Sequence, residues 1–345
     1  MSEETSGDSA AERVAEFQAA FARLRAEIHK VVVGHSEVVD QVLTVIFAGG
    51  HALLEGVPGL GKTLLCRTIS DCMRLDYKRI QFTPDLMPAD ILGTSIVVED
   101  DKGRKSFEFQ QGPIFGNIVL ADEVNRATPK TQSALLEAMQ EGQVTISGRR
   151  DLPQPFFVLA TQNPIDMEGT YPLPEAQLDR FLFKIDVRSQ EVDDLVTILE
   201  RTTGGAKATV EAVLDREQVL GMRRLAREVP VAKAMLRYAA TLCQATHPES
   251  PVAVDLTRRF VQFGASPRGA QSIVLAAKVR ALSLGRVHVD PEDIRFAARP
   301  ALRHRLLLNF EGEAEGITPA QVVDAVLEGV SDQDPEVQKL LSARG

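Results

Sequence analysis

A glycine-rich loop near the start of the chain sets the strongest restriction on the fold. Residues 56–63 match the pattern G-x-x-x-x-G-K-[ST], in the order Gly56, Val57, Pro58, Gly59, Leu60, Gly61, Lys62 and Thr63. The apolar run before the loop predicts a strand, and Leu64 begins a predicted helix. Glycines in this setting let backbone N–H groups converge on phosphate oxygens, and the helix amino terminus adds its positive dipole end. We therefore predict that Lys62 reaches the β- and γ-phosphates, that the Thr63 hydroxyl binds magnesium, and that Leu64 completes the cofactor-binding set.

Short apolar runs that alternate with helical stretches indicate an α/β fold. Strands are predicted at His51–Leu54, Lys78–Phe82, Ile118–Ala121, Phe156–Thr161 and Phe183–Val187. Helices between them, notably Lys62–Met73 and Lys130–Glu141, favour a central parallel five-stranded sheet with helices packed around it. Continuous apolar runs such as 118–121 fit central strands that are buried on both faces.

The pattern of residues divides the chain into three parts. Residues 1–12 are small, polar and acidic, and we expect them to form a disordered tail. Residues 13–190 hold the α/β part, with two predicted hairpin insertions at Gly93–Phe109 and Gln143–Leu152. Residues 191–345 lack strand signals and predict a smaller, all-helical domain.

Composition favours a cytoplasmic protein without a membrane segment. The formal net charge of -9 argues against a general nucleic-acid coat, which requires a basic face. Three cysteines, at positions 66, 72 and 243, have neither metal-ligand spacing nor the even number of a closed disulfide set. The acidic amino terminus does not have the pattern of a secretory signal, and the apolar run Val42–Leu54 is too short to cross a bilayer.

Two adjacent carboxylates, Asp122 and Glu123, follow the apolar run 118–121. In open α/β sheets, ligands bind at the carboxyl ends of the strands. Such a position predicts that Asp122 faces the magnesium and that Glu123 lies beside the γ-phosphate, where it can polarise a water molecule. The alternative for an Asp-Glu pair is a solvated turn, but the apolar strand before it and the upstream phosphate loop favour the functional interpretation.

Three further polar residues are candidates for the same chemistry. Asn163 follows the apolar run 156–160 and is placed to bind the attacking water or the γ-phosphate, although an Asx turn before proline explains it equally well. Arg180 precedes the last predicted strand, and Arg268 begins a predicted helix of the second domain. Either arginine could stabilise charge on a transferring phosphoryl group, and the alternative for each is a surface salt bridge.

These motifs together resemble the AAA+ superfamily and, within it, the MoxR-type ATPases. The segment GVPGLGKT resembles a Walker A motif, IVLADEVNRA resembles Walker B, and LATQNP resembles a sensor 1 segment. Longer blocks, FTPDLMPADILG, ADEVNRATPKTQSALLEAMQEGQVT and GTYPLPEAQLDRF, are similar to MoxR signatures. The resemblance covers the chain from about residue 26 to residue 330.

The resemblance implies ATP and Mg²⁺ as cofactors, with Thr63 and Asp122 at the metal and Glu123 and Asn163 as catalytic residues. It implies that Arg180 is an arginine finger for a neighbouring subunit, and that Arg268 is a sensor 2 residue acting in cis or in trans. Val33 and Gly34 match the segment that lines the adenine pocket, and Arg126 is a second candidate for a trans-acting arginine. The implied assembly is a homo-hexamer, in which the hairpin insertions face the central pore or are ordinary surface hairpins.

For biological role, the resemblance implies chaperone-like remodelling or maturation of a protein client, including metal-cofactor insertion. It also implies a separate partner protein with a von Willebrand factor A domain. The alternatives are the ATPase subunit of a metal chelatase and a DNA-directed, helicase-like motor, and the acidic charge balance makes a nucleic-acid partner unlikely. A transcriptional activator is disfavoured because the Gly-Ala-Phe-Thr-Gly-Ala loop of that class is absent.

A basic run at residues 299–305, RPALRHR, stands out in this acidic chain. Charge runs usually lie on solvated faces, so the favoured interpretation is an ionic surface patch. The alternative is a contact between subunits.

Overall fold

The computed structural model describes residues 4–333 except positions 58, 100, 102, 147, 164–168 and 205–207. The helices are α1 (Glu4–His29), α2 (Ser36–Ala48), α3 (Lys62–Cys72), α4 (Pro88–Leu92), α5 (Pro129–Glu141), α6 (Glu175–Leu178), α7 (Val192–Thr203), α8 (Arg216–Glu228), α9 (Lys233–Gln244), α10 (Asp255–Phe260), α11 (Pro267–Ser283), α12 (Pro291–Leu302), α13 (Phe310–Ala314) and α14 (Pro319–Gln333). The strands are β1 (Ala52–Glu55), β2 (Tyr77–Gln81), β3 (Gly93–Glu99), β4 (Lys105–Gln111), β5 (Ile118–Asp122), β6 (Gln143–Thr145), β7 (Arg149–Asp151), β8 (Phe157–Gln162), β9 (Phe183–Asp186), β10 (Val261–Phe263) and β11 (Leu307–Leu308). One 3₁₀ helix spans Val124–Arg126.

Five parallel strands form the central sheet, in the order β2-β5-β8-β1-β9. Alternate residues of these strands pack on opposite faces, as the two-residue period of a strand requires. Leu54, Leu120 and Leu159 pack in one core with α1, α2, α3 and the carboxyl-terminal helices. Leu53, Val119 and Val158 pack in a second core with α4 and α5. The sheet is therefore buried on both sides, which confirms the predicted α/β class with a helical second domain.

Both predicted hairpins are present as insertions in the α/β part. β3 and β4 pair antiparallel from Gly93 opposite Gln111 to Glu99 opposite Lys105. β6 and β7 pair in the same way from Gln143 opposite Asp151 to Thr145 opposite Arg149. The first hairpin exposes apolar side chains, among them Val97 and Phe107.

The ends of the predicted parts can be placed on the structure. Residues 4–12, expected to be disordered, belong to the first turns of α1, and residues 1–3 lie outside the described residues. The boundary expected near residue 190 falls between β9 and α7. Among the described residues, no helix combines the length and the apolar character that crossing a bilayer requires.

Residues 303–305 correct the interpretation of the basic run as a solvated face. The side chain of Arg303 is 11% exposed, and that of Arg305 only 2%. His304 is buried between them and donates its Nε2 proton to the carbonyl of Phe181. Arg299, at the amino-terminal end of the run, is exposed and forms an ion pair with Asp324. The run therefore connects the helical domain to the α/β part, because its carboxyl-terminal residues are enclosed by both.

His51 predicts a dependence of stability on pH. Its Nδ1 accepts a hydrogen bond from the backbone of Val158 at 3.0 Å, and its Nε2 donates to the carbonyl of Met139 at 3.1 Å, so the ring is neutral. Burial lowers the pKa of His51 from 6.5 to about 4, so the unfolded chain binds more protons than the folded chain between these values. We expect the free energy of unfolding to fall by up to about 3 kcal/mol from this group as the pH decreases from 6.5 to 4.

Urea denaturation at several pH values measures this effect as a difference between variants. His51→Gln should show a shallower fall in the free energy of unfolding across that range than the unsubstituted chain. His288→Gln is the matched control, since the His288 side chain is 59% exposed, and it should follow the unsubstituted chain. Identical pH profiles for His51→Gln and the unsubstituted chain would contradict the assignment.

Candidate active site

The glycine-rich loop connects β1 to α3 at the carboxyl edge of the sheet. Gly59 and Gly61 adopt φ angles of 87° and 78°, in the left-handed region that favours glycine. Gly61 is the N-cap of α3 and provides no side-chain cap, so the first N–H groups of the helix remain available for an anion. Pro58, a predicted member of the cofactor-binding set, lies outside the described residues.

A cavity of about 450 Å³ opens beside this loop, and we call it the phosphate cavity. It is lined by Gly59, Gly61, Lys62, Thr63, Leu64, Arg79, Gln81, Asp122, Glu123 and Asn163. The structure thus brings together eight residues that the sequence predicts for the site and adds two from β2. Asn163 is only 6% exposed, although it follows the end of β8.

Lys62 is held against its own loop. Its Nζ donates to the carbonyl of Gly56 at 2.6 Å. Burial lowers the pKa of Lys62, and the charges of Asp122 and Glu123 oppose that shift. A phosphate in the cavity would compete with one carbonyl oxygen for the lysine, and a phosphate is the stronger acceptor because it is charged.

Thr161 on β8 fixes the two acidic residues relative to each other. Its hydroxyl donates to Oδ1 of Asp122 at 2.6 Å and accepts from the backbone N–H of Glu123 at 2.8 Å. Glu123 has a φ of 57°, an uncommon conformation for a residue with a side chain, and leads into the 3₁₀ helix. Strain of this kind persists where neighbouring contacts enforce it, and the bond to Thr161 is one such contact.

Arg79 and Gln81, which sequence reasoning missed, hold both carboxylates from β2. Nη2 of Arg79 lies 2.8 Å from Oδ2 of Asp122. The Gln81 amide donates to Oε2 of Glu123 at 2.9 Å, and Arg126 approaches the same oxygen to 3.2 Å. Arg126 therefore contacts the acidic residue of its own chain. Arg79 and Gln81 are two residues apart in Tyr77–Gln81 and so share one face of the strand, a signal that could have drawn attention to β2.

The donor set fits magnesium. The Thr63 hydroxyl and the Asp122 carboxylate line the same cavity, and hard oxygen ligands of this type suit Mg²⁺, which keeps several waters and takes further oxygens from phosphates. Among the described residues no group of three or more His, Cys, Asp or Glu side chains is placed to hold a metal.

The predicted adenine segment lies between α1 and α2, next to the loop. A narrow cavity there is lined by Val32, His35, Val38, Leu60, Gly61, Lys62, Leu65 and Val187. Val33 and Gly34 do not line it themselves, whereas the residues on either side of them do. Gly34 has a φ of 67°, and a Cβ at this position would lie 2.3 Å from Oδ2 of Asp194, so the chain is tightly packed against α7 here. His35 is a lining residue that the sequence did not single out.

Arg180 and Arg268 lie away from the phosphate cavity. Together with His51, Asp179, Leu182 and Arg305 they line a second cavity of about 260 Å³, which we call the arginine cavity. Arg180 precedes the first residue of β9, and His51 precedes the first residue of β1, its parallel neighbour. The arginine cavity is therefore at the amino edge of the sheet, whereas the phosphate cavity is at the carboxyl edge, about 13 Å away across a four-residue strand.

Comparison with known proteins agrees with this geometry. Residues 51–183 match the family model described as the ATPase family associated with various cellular activities, and residues 255–326 match an AAA lid domain. The chain is 42% identical over 306 residues to the chaperone MoxR1 of Mycobacterium tuberculosis, covering 88% of this chain and 80% of the relative. It is 33% identical over 331 residues to the protein MoxR of Methylorubrum extorquens, covering 90% and 94%.

A crystal structure of a protein from Cytophaga hutchinsonii superimposes with a TM-score of 0.87 at 41% identity, over 93% of this chain and 97% of that one. The similarity therefore extends over both domains. The chain therefore belongs to the MoxR-type AAA+ ATPases.

Proposed function

We propose that this chain binds ATP with Mg²⁺ at the phosphate cavity and hydrolyses it. The observation that carries the proposal is the convergence of Lys62, Thr63, Asp122 and Glu123 on one cavity at the amino terminus of α3. Lys62 would exchange the carbonyl of Gly56 for the β- and γ-phosphates. Magnesium, when bound between Thr63 and Asp122, would neutralise charge on the phosphate oxygens.

Glu123 and Asn163 are the residues proposed to act on the attacking water. The carboxylate of Glu123 can orient a water molecule and accept its proton, and the Asn163 side chain can hold the water or the γ-phosphate. Gln81 and Arg126 restrain Glu123 on one carboxylate oxygen, Oε2. We propose that the other carboxylate oxygen, Oε1, contacts the water.

Arg180 and Arg268 are proposed to act in trans, on the nucleotide of a neighbouring subunit. Their position at the amino edge of the sheet, about 13 Å from the phosphate cavity, supports this assignment because no side chain spans that distance within one subunit. Arginines with these roles require a neighbouring subunit, and family resemblance favours a homo-hexameric ring. Hydrolysis then depends on assembly.

The proposed biological role is chaperone-like remodelling of a protein client in the cytoplasm. The relative named chaperone MoxR1 supports this class of function. We propose that a partner with a von Willebrand factor A domain connects the motor to its client, with metal-cofactor insertion as one form of the work. The exposed apolar side chains of the β3–β4 hairpin offer a surface for such contacts.

Nucleotide binding can be tested with Lys62→Ala. Because the lysine supplies charge-assisted hydrogen bonds, which contribute about 1.5–3 kcal/mol, we expect its removal to weaken Mg-ATP binding about 10- to 100-fold in calorimetry. Lys78→Ala is the matched control, since Lys78 is half exposed and pairs with Asp76 outside the cavity. The proposal fails if the unsubstituted protein releases no heat with Mg-ATP.

Action in trans can be tested with Arg180→Ala. The variant should bind Mg-ATP with the affinity of the unsubstituted protein but lose turnover by about 10³-fold, since arginine fingers stabilise the transition state rather than the ground state. Arg259→Ala, which removes an exposed arginine paired with Glu311 and Glu315, should keep full turnover. Unchanged turnover in Arg180→Ala would remove Arg180 from the reaction.

The client can be sought with a nucleotide-trapped variant. Glu123→Gln should bind ATP without hydrolysing it and retain its partners, because the carboxylate that activates water is lost. After affinity purification with ATP, we expect mass spectrometry to identify a protein with a von Willebrand factor A domain. The double variant Glu123→Gln with Lys62→Ala is the control and should recover none. Recovery of nucleic acid alone would favour a helicase-like motor instead.

A further inference from the structure

Arg305 is an almost fully enclosed arginine that joins the two domains. It follows α12 in the helical domain, and its side chain is 2% exposed. Its Nε donates to Oδ1 of Asp179 at 2.8 Å, at the boundary with the α/β part. Its Nη2 also donates to the hydroxyl of Ser272 on α11, at 3.2 Å. A single guanidinium thus contacts both domains.

The same guanidinium binds the backbone on both sides of Arg180. Nη2 of Arg305 donates to the carbonyl of Asp179 at 2.9 Å and to the carbonyl of Phe181 at 2.8 Å. His304 adds a second donor to the Phe181 carbonyl at 3.0 Å. The carbonyl groups of the two residues on either side of Arg180 are therefore bound by residues of the helical domain.

Asp179 connects this arrangement to Arg268. Its carboxylate accepts from the hydroxyl of Ser266 at 2.8 Å and 3.0 Å, and Arg268 lies 3.7 Å from the same group. Ser266 in turn caps α11 by accepting from the backbone N–H of Arg268 at 3.2 Å. The Asp179 carboxylate, held by Arg305, thus connects the segment that carries Arg180 to the start of α11, which carries Arg268.

The buried ion pair of Arg305 with Asp179 is not explained by stability, because such a pair contributes little net stability compared with apolar residues of the same volume. Its geometry is the better guide to its role. The planar fork of arginine can donate to several carbonyl groups at fixed angles, which a lysine cannot reproduce. We propose that Arg305 is a positioning residue that holds Arg180 and Arg268 as one unit for the neighbouring subunit. This inference rests on the proposed trans action of those two arginines.

Subunit mixing provides the test, with Arg305→Lys as the central variant because it keeps the charge and removes the fork. The variant should bind Mg-ATP and assemble like the unsubstituted protein, and it should lose turnover about 10- to 100-fold, as small displacements of catalytic groups do. Arg303→Lys is the matched control: Arg303 is also buried in this segment but pairs with Asp186, away from Arg180, and should lose much less.

Mixed assemblies separate positioning in trans from damage to the variant's own site. Glu123→Gln subunits carry an intact arginine unit, so in a random equimolar mixture with Arg305→Lys about a quarter of the interfaces combine an intact Glu123 with an intact arginine unit. Turnover should then exceed that of Arg305→Lys alone by about 3-fold if that variant has lost about 10-fold, and by about 25-fold if it has lost about 100-fold. Mixing Arg305→Lys with Arg180→Ala should give no gain, since both subunits lack the same function. A gain in the second mixture, or none in the first, would overturn the positioning role.

The reference mixture of Glu123→Gln with Arg180→Ala identifies the source of a failure. If that mixture stays inactive, the trans arrangement is wrong and the role of Arg305 is overturned with it. If it regains turnover while the mixture with Arg305→Lys does not, only the positioning role is overturned. Should Arg305→Lys fail to fold, Asp179→Asn addresses the same contact from the α/β side and must give the same pattern of mixing.

Discussion

The parallel pairing of β5 with β8 is the constraint on which the arrangement of the site depends. The register of these two strands places Leu120 opposite Leu159 and Ala121 opposite Ala160. Asp122 and Thr161 therefore meet where the two strands end. The Thr161 hydroxyl then joins Asp122 to the backbone of Glu123. A slip of one residue would turn each side chain to the other face of the sheet, and the carboxylates would no longer meet the loop that follows β1.

The charged groups of the phosphate cavity are held by protein partners, and a nucleotide with magnesium would have to replace the partners of Lys62 and Asp122. Lys62 is bonded to Gly56, Asp122 to Arg79, and Glu123 to Gln81 and Arg126. These contacts keep partly buried charges from being left unpaired, which would cost several kcal/mol. Nucleotide binding would therefore exchange one set of hydrogen bonds for another. The net free energy of binding is then smaller than the sum of the free energies of the new contacts.

The parts of the structure that the sequence predicts well are those governed by local pattern. The strand predicted at 118–121 is present as Ile118–Asp122, because a continuous apolar run between turns has few alternatives to a buried strand. β10 and β11 were missed because three and two residues are too short to show a period. Thr161, Arg79 and Gln81 could not be assigned, since their roles follow from which strands are neighbours.

The basic run at 299–305 was misinterpreted because its contacts are equally distant in sequence. The acidic partners of Arg303 and Arg305 lie 117 and 126 residues earlier in the chain.

The separation of the two cavities determines how the proposed chemistry could produce movement. A ligand shifts a conformational equilibrium only by the difference in its affinity for the two states. In the proposed ring, that difference comes from the neighbour's arginines, which add charge-assisted hydrogen bonds to the γ-phosphate only when the interface is closed. Arg180 belongs to the α/β part and directly follows Asp179, whereas Arg268 belongs to the helical domain and lies 3.7 Å from the Asp179 carboxylate. In that ring, closure around one nucleotide would act on both domains of the adjacent subunit together, and release of the cleaved γ-phosphate would remove the charge that favours closure.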